Sequence, residues 1–145
     1  MSDQVLKVLQ GLPGAGKSTW AAAWRALDPQ RRVVVNRDGI RFEVFGRYRG
    51  LKDEQEAVVT GVEFLRVDRA LGTGLSVTVD ATHLKSAHRD RWVDLATRHG
   101  VRYELVVINT PLSECLRRNQ ARAAAGGRFV PEDVIAQMHA TAELV

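Results

Sequence analysis

The stretch "LQGLPGAGKSTW", residues 9–20, holds the residue types that can grip an anion. Gly11, Gly14 and Gly16 let backbone N–H groups converge on one point that side chains would obstruct. Pro13 and Ala15 lie between them, and Lys17, Ser18 and Thr19 follow. The spacing Gly-x-x-x-x-Gly-Lys-Ser is the full P-loop pattern. Lys17 would reach β- and γ-phosphates, and Ser18 would offer its hydroxyl to Mg²⁺. A helix opening near Lys17 would aim its positive dipole end at the same place. The plainer alternative is a Gly-rich strand-to-helix turn with an accidental Lys-Ser. The apolar run before the loop and the helical run after it favour a nucleoside triphosphate site, with residues 11–19 as the cradle.

Open α/β sheets bind ligands at the carboxyl ends of their strands, so residues just after the other apolar runs are the candidates for phosphoryl chemistry. "NRDGIR", Asn36 to Arg41, follows one run and "DATH", Asp80 to His83, follows another. Asp38 could act as general base on an attacking hydroxyl, or it could only cap the helix that begins beside it. Arg41, three residues on, shares a helix face with Asp38. It could hold a phosphate of the acceptor or simply pair with Asp38. Asp80 ends an apolar strand, where a carboxylate can touch the Mg²⁺ shell or orient a neighbour. The alternative is a strand-end turn residue.

In "LRRNQARAAAGGRFVP", Arg118 and Arg122 are four apart and lie on one helix face. Ahead of a hinge-like Ala/Gly stretch, they could close over a triphosphate as a lid, or form a solvated basic face. Arg117 and Arg128 are weaker candidates by the same logic. His83, His88, His99 and His139 show no metal-ligand spacing with Cys115. His88, His99 and His139 read as helix surface or ends, and His83 could approach the site. Cys115 reads as a small core residue, and Trp20, Trp24 and Trp92 as helix packing.

The elements that must position these residues alternate. Strands are expected at Val5–Leu9, Val33–Val35, Leu75–Val79 and Val101–Ile108. Helices are expected from Lys17 to Leu27, stopped by Asp28-Pro29, from Asp38 to Phe45, and from Ser86 to His99, stopped by Gly100. Another is expected from Thr110-Pro111 to about Ala124, with Thr110 as cap. A last helix would start at Val130-Pro131 with Val134, Ile135 and Met138 on one face. A long helix would begin at Asp53 with a D-x-x-E capping box to Glu56 and an apolar face of Val58, Val62 and Leu65. This alternation implies a three-layer α/β domain with about four parallel strands, spanning residues 1–145 as one unit with its lid near 115–130.

Composition sets outer bounds. The 45% hydrophobic and 26% charged balance fits a globular chain of 145 residues with one core. No run approaches the roughly 20 apolar residues of a membrane span. Met1-Ser2-Asp3-Gln4 lacks a signal-peptide pattern, and the lone cysteine suits a reducing compartment, so a cytoplasmic setting with no membrane partner is expected. The net charge of +4 permits a polyanionic partner without demanding one. The 17 Arg against 4 Lys suit bidentate phosphate contacts, and Arg41, Arg47 and Arg49 could line a basic groove. No Asn-Lys-x-Asp guanine-reading motif is present.

Together "GLPGAGKSTWA", "NRDGIR", "EAVVTGVEF", "VDAT" and "RRNQARAAAGGRFVPEDV" resemble the kinase module of phage-type polynucleotide 5′-kinases over most of the chain. The resemblance implies a P-loop kinase fold and Mg²⁺-dependent transfer of the γ-phosphate of ATP, or another NTP, to the 5′-hydroxyl of DNA or RNA, with a phage origin among the possibilities. It implies Lys17 and Ser18 on the triphosphate and Mg²⁺, Asp38 as base and Arg41 on the acceptor. It further implies Asp80 as an essential carboxylate and Arg118 and Arg122 as lid arginines on the ATP phosphates. Gly39 stands where the family often has a second carboxylate. No Asp-x-Asp-x-Thr motif is present, so 3′-end healing is not expected. The competing readings are a P-loop kinase of a small-molecule hydroxyl (a sugar, antibiotic or nucleotide-sugar) and a non-catalytic NTP-binding module.

Overall fold

Side-chain alternation along the first strand sets the layers. In the computed structural model, which describes residues 3–145, strand β1 is Val5–Gln10. Leu6 and Val8 point into the main core. Lys7 points the other way, with its ammonium 6.0 Å from the ring centroid of Trp20. Trp20 belongs to helix α1, Lys17–Ala26. Helix α1 therefore covers one face of the sheet.

The sheet order is β2-β3-β1-β4, all parallel, with β2 Arg32–Asn36, β3 Ser76–Asp80 and β4 Arg102–Val107. The crossover through α1 runs in the opposite direction to those through α3 (Asp53–Gly72) and α4 (Ser86–His99). Right-handed crossovers therefore put α1 on one face and α3 with α4 on the other. The shared core of α3 and α4 is visible in the stacked rings of Phe64 and Trp92, 6.1 Å apart. Val59, Val67, Trp92 and Leu95 are all fully buried, each such side chain contributing on the order of 2 kcal/mol. Among the described residues, no helix is long and apolar enough to cross a membrane.

Helix boundaries follow local chemistry. Helix α2, Arg37–Phe45, ends at Gly46, whose N–H donates to the carbonyl of Phe42 at 2.8 Å. Helix α5 is Leu112–Ala124 and α6 is Glu132–Thr141. Two expectations for helix starts are corrected. The long helix α3 opens on Lys52, whose N–H donates to Gln55 Oε1 at 2.8 Å, so the Asp53/Glu56 box does not form. Pro111 and not Thr110 precedes α5, and the Thr110 hydroxyl instead donates to the carbonyl of Ala15 at 2.7 Å.

The expected inner face of α3 holds at Val62, which packs against the main core, and is off by about one residue at Val58 and Leu65. Val58 and Leu65 are exposed, and the buried stripe is Val59, Glu63, Val67 and Leu71. A charged residue sits in the middle of that stripe, so the apolar spacing alone picks the neighbouring face.

Candidate active site

The loop after β1 is shaped by two glycines. A Cβ on Gly14 (φ 83°) would lie 2.6 Å from the carbonyl oxygen of Cys115, and Gly16 adopts φ 103° as it opens α1. The loop therefore folds only with glycine at these points and lies against α5. Cys115 is fully buried there and packs with Leu12, Ala15 and Leu84, as a core residue would. Lys17 curls back along the loop, donating to the carbonyls of Gly11 (3.0 Å) and Leu12 (2.8 Å). Burial pushes its ammonium down to about 8, against the pull of Asp80 and Asp38.

Neighbouring strand ends supply the carboxylates. Asn36 and Asp80 are paired in register at the ends of β2 and β3. Asp80 Oδ2 accepts from the Ser18 hydroxyl at 2.8 Å and from Asn36 Nδ2 at 2.9 Å. This hydroxyl–carboxylate pair beside the loop offers the hard oxygen donors that suit Mg²⁺ bound together with phosphates. Among the described residues no cluster of three or more His, Cys, Asp or Glu forms a separate cage.

Asn36 also caps α2, its Oδ1 accepting from Gly39 N–H at 2.7 Å. Asp38 is therefore not the helix cap. Its Oδ1 accepts from Arg41 at 2.6 Å, and its Oδ2 accepts from Arg128. Arg41 in turn grips Glu56 through Nε, at 2.8 and 3.0 Å to the two oxygens. Arg41 is thus both paired with Asp38 and fixed from behind by a second carboxylate.

The last wall is α5 and its exit. Arg118 leans over the loop and donates to the carbonyl of Ala15 at 3.2 Å. Arg122 donates to the carbonyl of Arg128 (2.8 Å) and to Asn119 Oδ1 (3.2 Å). The fully buried Asn119 pins Val130 through both its N–H (3.0 Å) and its carbonyl (2.6 Å). Arg117 pairs with Glu114 and stays exposed.

A single cleft of about 1030 Å³ brings these groups together. Lys17, Ser18, Asp38, Arg41, Asp80, Arg118 and Arg122 all line it, as do Pro13, Gly14, Gly16 and Thr19. Gly11 and Ala15 do not. Both are buried and act from behind, their carbonyls receiving Lys17, and Thr110 and Arg118 respectively.

His83 is also at the cleft edge but is structural in its bonding. Its Nδ1 lies 2.6 Å from the Leu9 carbonyl, and Nε2 accepts from Trp92 Nε1 at 3.0 Å. Burial pushes it down to about 4, so it is neutral at pH 7. The residues that sequence reasoning missed are Asn36, Glu56, Asn119 and the placement of Arg128. Asn36 alone had a usable signal, since Asn directly before a helix is a strong cap.

A sequence profile described as an AAA domain matches residues 6–145. A viral protein named for a bifunctional polynucleotide kinase/RNA ligase, from Autographa californica nuclear polyhedrosis virus, is 28% identical over 137 residues, 84% of this chain and 19% of its own length. An L-seryl-tRNA(Sec) kinase of Methanococcus maripaludis is 28% identical over 138 residues, 93% of this chain and 51% of its own. Among solved structures, a chain of the Pnkp1/Rnl/Hen1 RNA repair complex superposes with TM-score 0.83 at 26% identity, covering 95% of this chain and 43% of that one. The chain thus spans about a fifth of the viral relative and about half of the archaeal one.

Proposed function

The chain belongs to this AAA-domain family, and we propose that within it the protein is an ATP-dependent phosphotransferase acting on the 5′-hydroxyl end of DNA or RNA. The observation that carries the proposal is the cleft wall. Asp38 is released from helix capping by Asn36 and faces the same cleft as Lys17. A carboxylate so placed can take the proton of an attacking hydroxyl. The likeness to a viral polynucleotide kinase/RNA ligase and to a chain of an RNA repair complex supports the acceptor class.

In this reading the loop N–H groups and Lys17 hold the triphosphate tail, and Lys17 exchanges its two carbonyl partners for phosphate oxygens. Mg²⁺, when bound, neutralises charge on the phosphates, and Ser18 and Asp80 are the residues that would hold it. Asp38 orients the acceptor hydroxyl and receives its proton. Arg41, held by Glu56, positions the acceptor through its adjacent phosphate. Arg118 and Arg122, within a lid of about residues 115–130, close over the triphosphate and stabilise charge on the transferring group.

A second reading has one observation behind it. The match to the L-seryl-tRNA(Sec) kinase covers 93% of this chain, which supports a hydroxyl borne elsewhere on a small or tRNA-linked acceptor. The test incubates the protein with γ-labelled ATP, Mg²⁺ and, separately, 5′-OH oligonucleotides, their 5′-phosphorylated counterparts, seryl-tRNA and simple sugars. Label on the 5′-OH oligonucleotides alone is expected. Label confined to seryl-tRNA or a sugar overturns the polynucleotide assignment.

A further inference from the structure

At the mouth of the cleft, a second groove of about 370 Å³ runs between the end of α2 and the α5–α6 loop. Phe42, Tyr48 and Phe129 line it, with Arg47, Arg49 and Arg128 between them and, among the described residues, no acidic side chain. These are the three exposed large aromatic side chains among the described residues, at 52%, 39% and 43%. All three gather in this one groove, while every other large aromatic is at least partly covered. The rings of Phe42 and Tyr48 are stacked, 4.9 Å apart at 20°, and the Arg128 guanidinium lies 5.6 Å from the Tyr48 ring centroid. Among the described residues, neither Arg47 nor Arg49 has a carboxylate partner.

We propose that this groove binds an unpaired nucleotide segment of the acceptor strand, stacking a base on the Phe42–Tyr48 platform opposite Phe129 while the arginines hold the backbone. Flat aromatic faces interleaved with arginines, of which Arg47 and Arg49 have no carboxylate partner among the described residues, match the two chemistries of single-stranded nucleic acid, π-faces and phosphates. A folded protein partner would need no such arginine fringe, and a base-paired duplex presents no free base face. The position fixes which part of the strand is held. Phe42 lies one helical turn from Asp38, and Arg128 touches both Asp38 and the Tyr48 ring. The base in the groove therefore belongs to a nucleotide next to the one whose hydroxyl meets Asp38. This deepens the polynucleotide reading and rests on it for the identity of the reacting end.

The test uses Phe42, which lines the groove but not the main cleft. Binding of a short single-stranded 5′-OH oligonucleotide, labelled at its 3′ end, is measured by fluorescence anisotropy at fixed salt. Phe42→Ala is expected to weaken it roughly tenfold, and Phe42→Trp to stay within about twofold of wild type. An abasic residue at the contacted position should weaken wild type and add no further loss to Phe42→Ala. In the transfer assay, the KM ratio of oligonucleotide to nucleoside 3′-monophosphate should rise about tenfold in Phe42→Ala.

Binding insensitive to Phe42→Ala, equal loss in the Ala and Trp variants, or equal loss on a blunt duplex would overturn the groove. So would no single-strand binding by wild type, or a dimer that Phe42→Ala dissolves. Phe42-dependent binding without labelling of any 5′ end would instead remove the kinase reading and leave the groove standing.

Discussion

Asn36 Nδ2 donates to Asp80 Oδ2 at 2.9 Å while the same side chain's Oδ1 caps the helix that carries Asp38. One amide thus ties the carboxylate beside Ser18 to the start of the element bearing the proposed base. Asn36→Ala removes both bonds. The lost cap alone costs about 1 kcal/mol, or roughly 3–5 °C in Tm for a chain of this size, and kcat should fall about tenfold as α2 loses its anchor. Asn36→Asp keeps an acceptor for Gly39 but sets a second carboxylate against Asp80. Its Tm should therefore drop further as pH rises and both groups ionise. Thermal melts at two pH values read this directly, and a pH-independent Tm in Asn36→Asp would contradict it.

Asp38 shares its carboxylate between Arg41 and Arg128, so its geometry is held from two sides. Asp38→Asn retains shape and hydrogen-bonding capacity but cannot take a proton. Its kcat should fall by roughly 10²–10⁴ with ATP affinity changed by less than about threefold. Arg41→Ala should raise the acceptor KM about tenfold or more and the ATP KM much less. An Asp38→Asn enzyme with wild-type kcat would remove the base from the mechanism.

Lys17 makes the site sensitive to alkaline pH. Burial first, opposed by Asp80 and Asp38, lowers its ammonium from the ordinary 10.5 to about 8. The unfolded chain therefore binds more protons than the folded one between about pH 8 and 10.5, and stability of the nucleotide-free protein rises with pH across that window. Below it the charged Lys17 costs about 3 kcal/mol. Lys17→Met should accordingly raise the Tm of the free protein at neutral pH while abolishing transfer. ATP affinity should be flat just below pH 8 and weaken up to about tenfold per unit above it, because the complex must first reprotonate Lys17. Calorimetric titration across that range checks the sign.

The β–α alternation and the phosphate loop were legible because each is written in local terms: Val-rich runs, glycines at fixed spacing, a Pro or Gly at helix ends. Whether Asp38 caps α2 stays open in the sequence because Asn36 and Asp38 are both good caps, and only the folded chain shows that the Asn36 oxygen meets Gly39. The inner face of α3 departs from the expected one at Val58 and Leu65 for a different reason. Glu63 occupies a core position made tolerable by arginines from α2 and α4, and no periodicity within α3 carries that information. Arg128 was discounted because its contact with Asp38 depends on how Asn119 and Arg122 fold the α5–α6 loop back.

Glu63 is the strongest test of that long-range dependence. Its side chain is fully buried, and its Oε1 accepts from both Arg37 (3.2 Å) and Arg91 (2.7 Å). Burial pushes its carboxyl up in spite of the two arginines. Arg91 lies 4.8 Å from the Trp92 ring centroid, and Trp92 bonds to His83, which bonds to the Leu9 carbonyl just before the phosphate loop. Glu63→Ala leaves two guanidinium groups without their shared anion and should cost about 3–5 kcal/mol, lowering Tm by more than about 10 °C. Among the described residues, Glu63 Oε2 and Arg91 Nε are themselves buried without partners, so this pair is imperfectly satisfied. Replacing both, as Glu63→Leu with Arg91→Leu, removes those orphans and the unbalanced charge together, while Arg37 keeps Glu56 at 3.5 Å. The double variant should recover most of the loss, because a buried ion pair and a packed apolar pair are of similar worth. If it melts as low as Glu63→Ala, then the penalty lies in side-chain shape and not in charge, and the electrostatic account of this cleft wall is wrong.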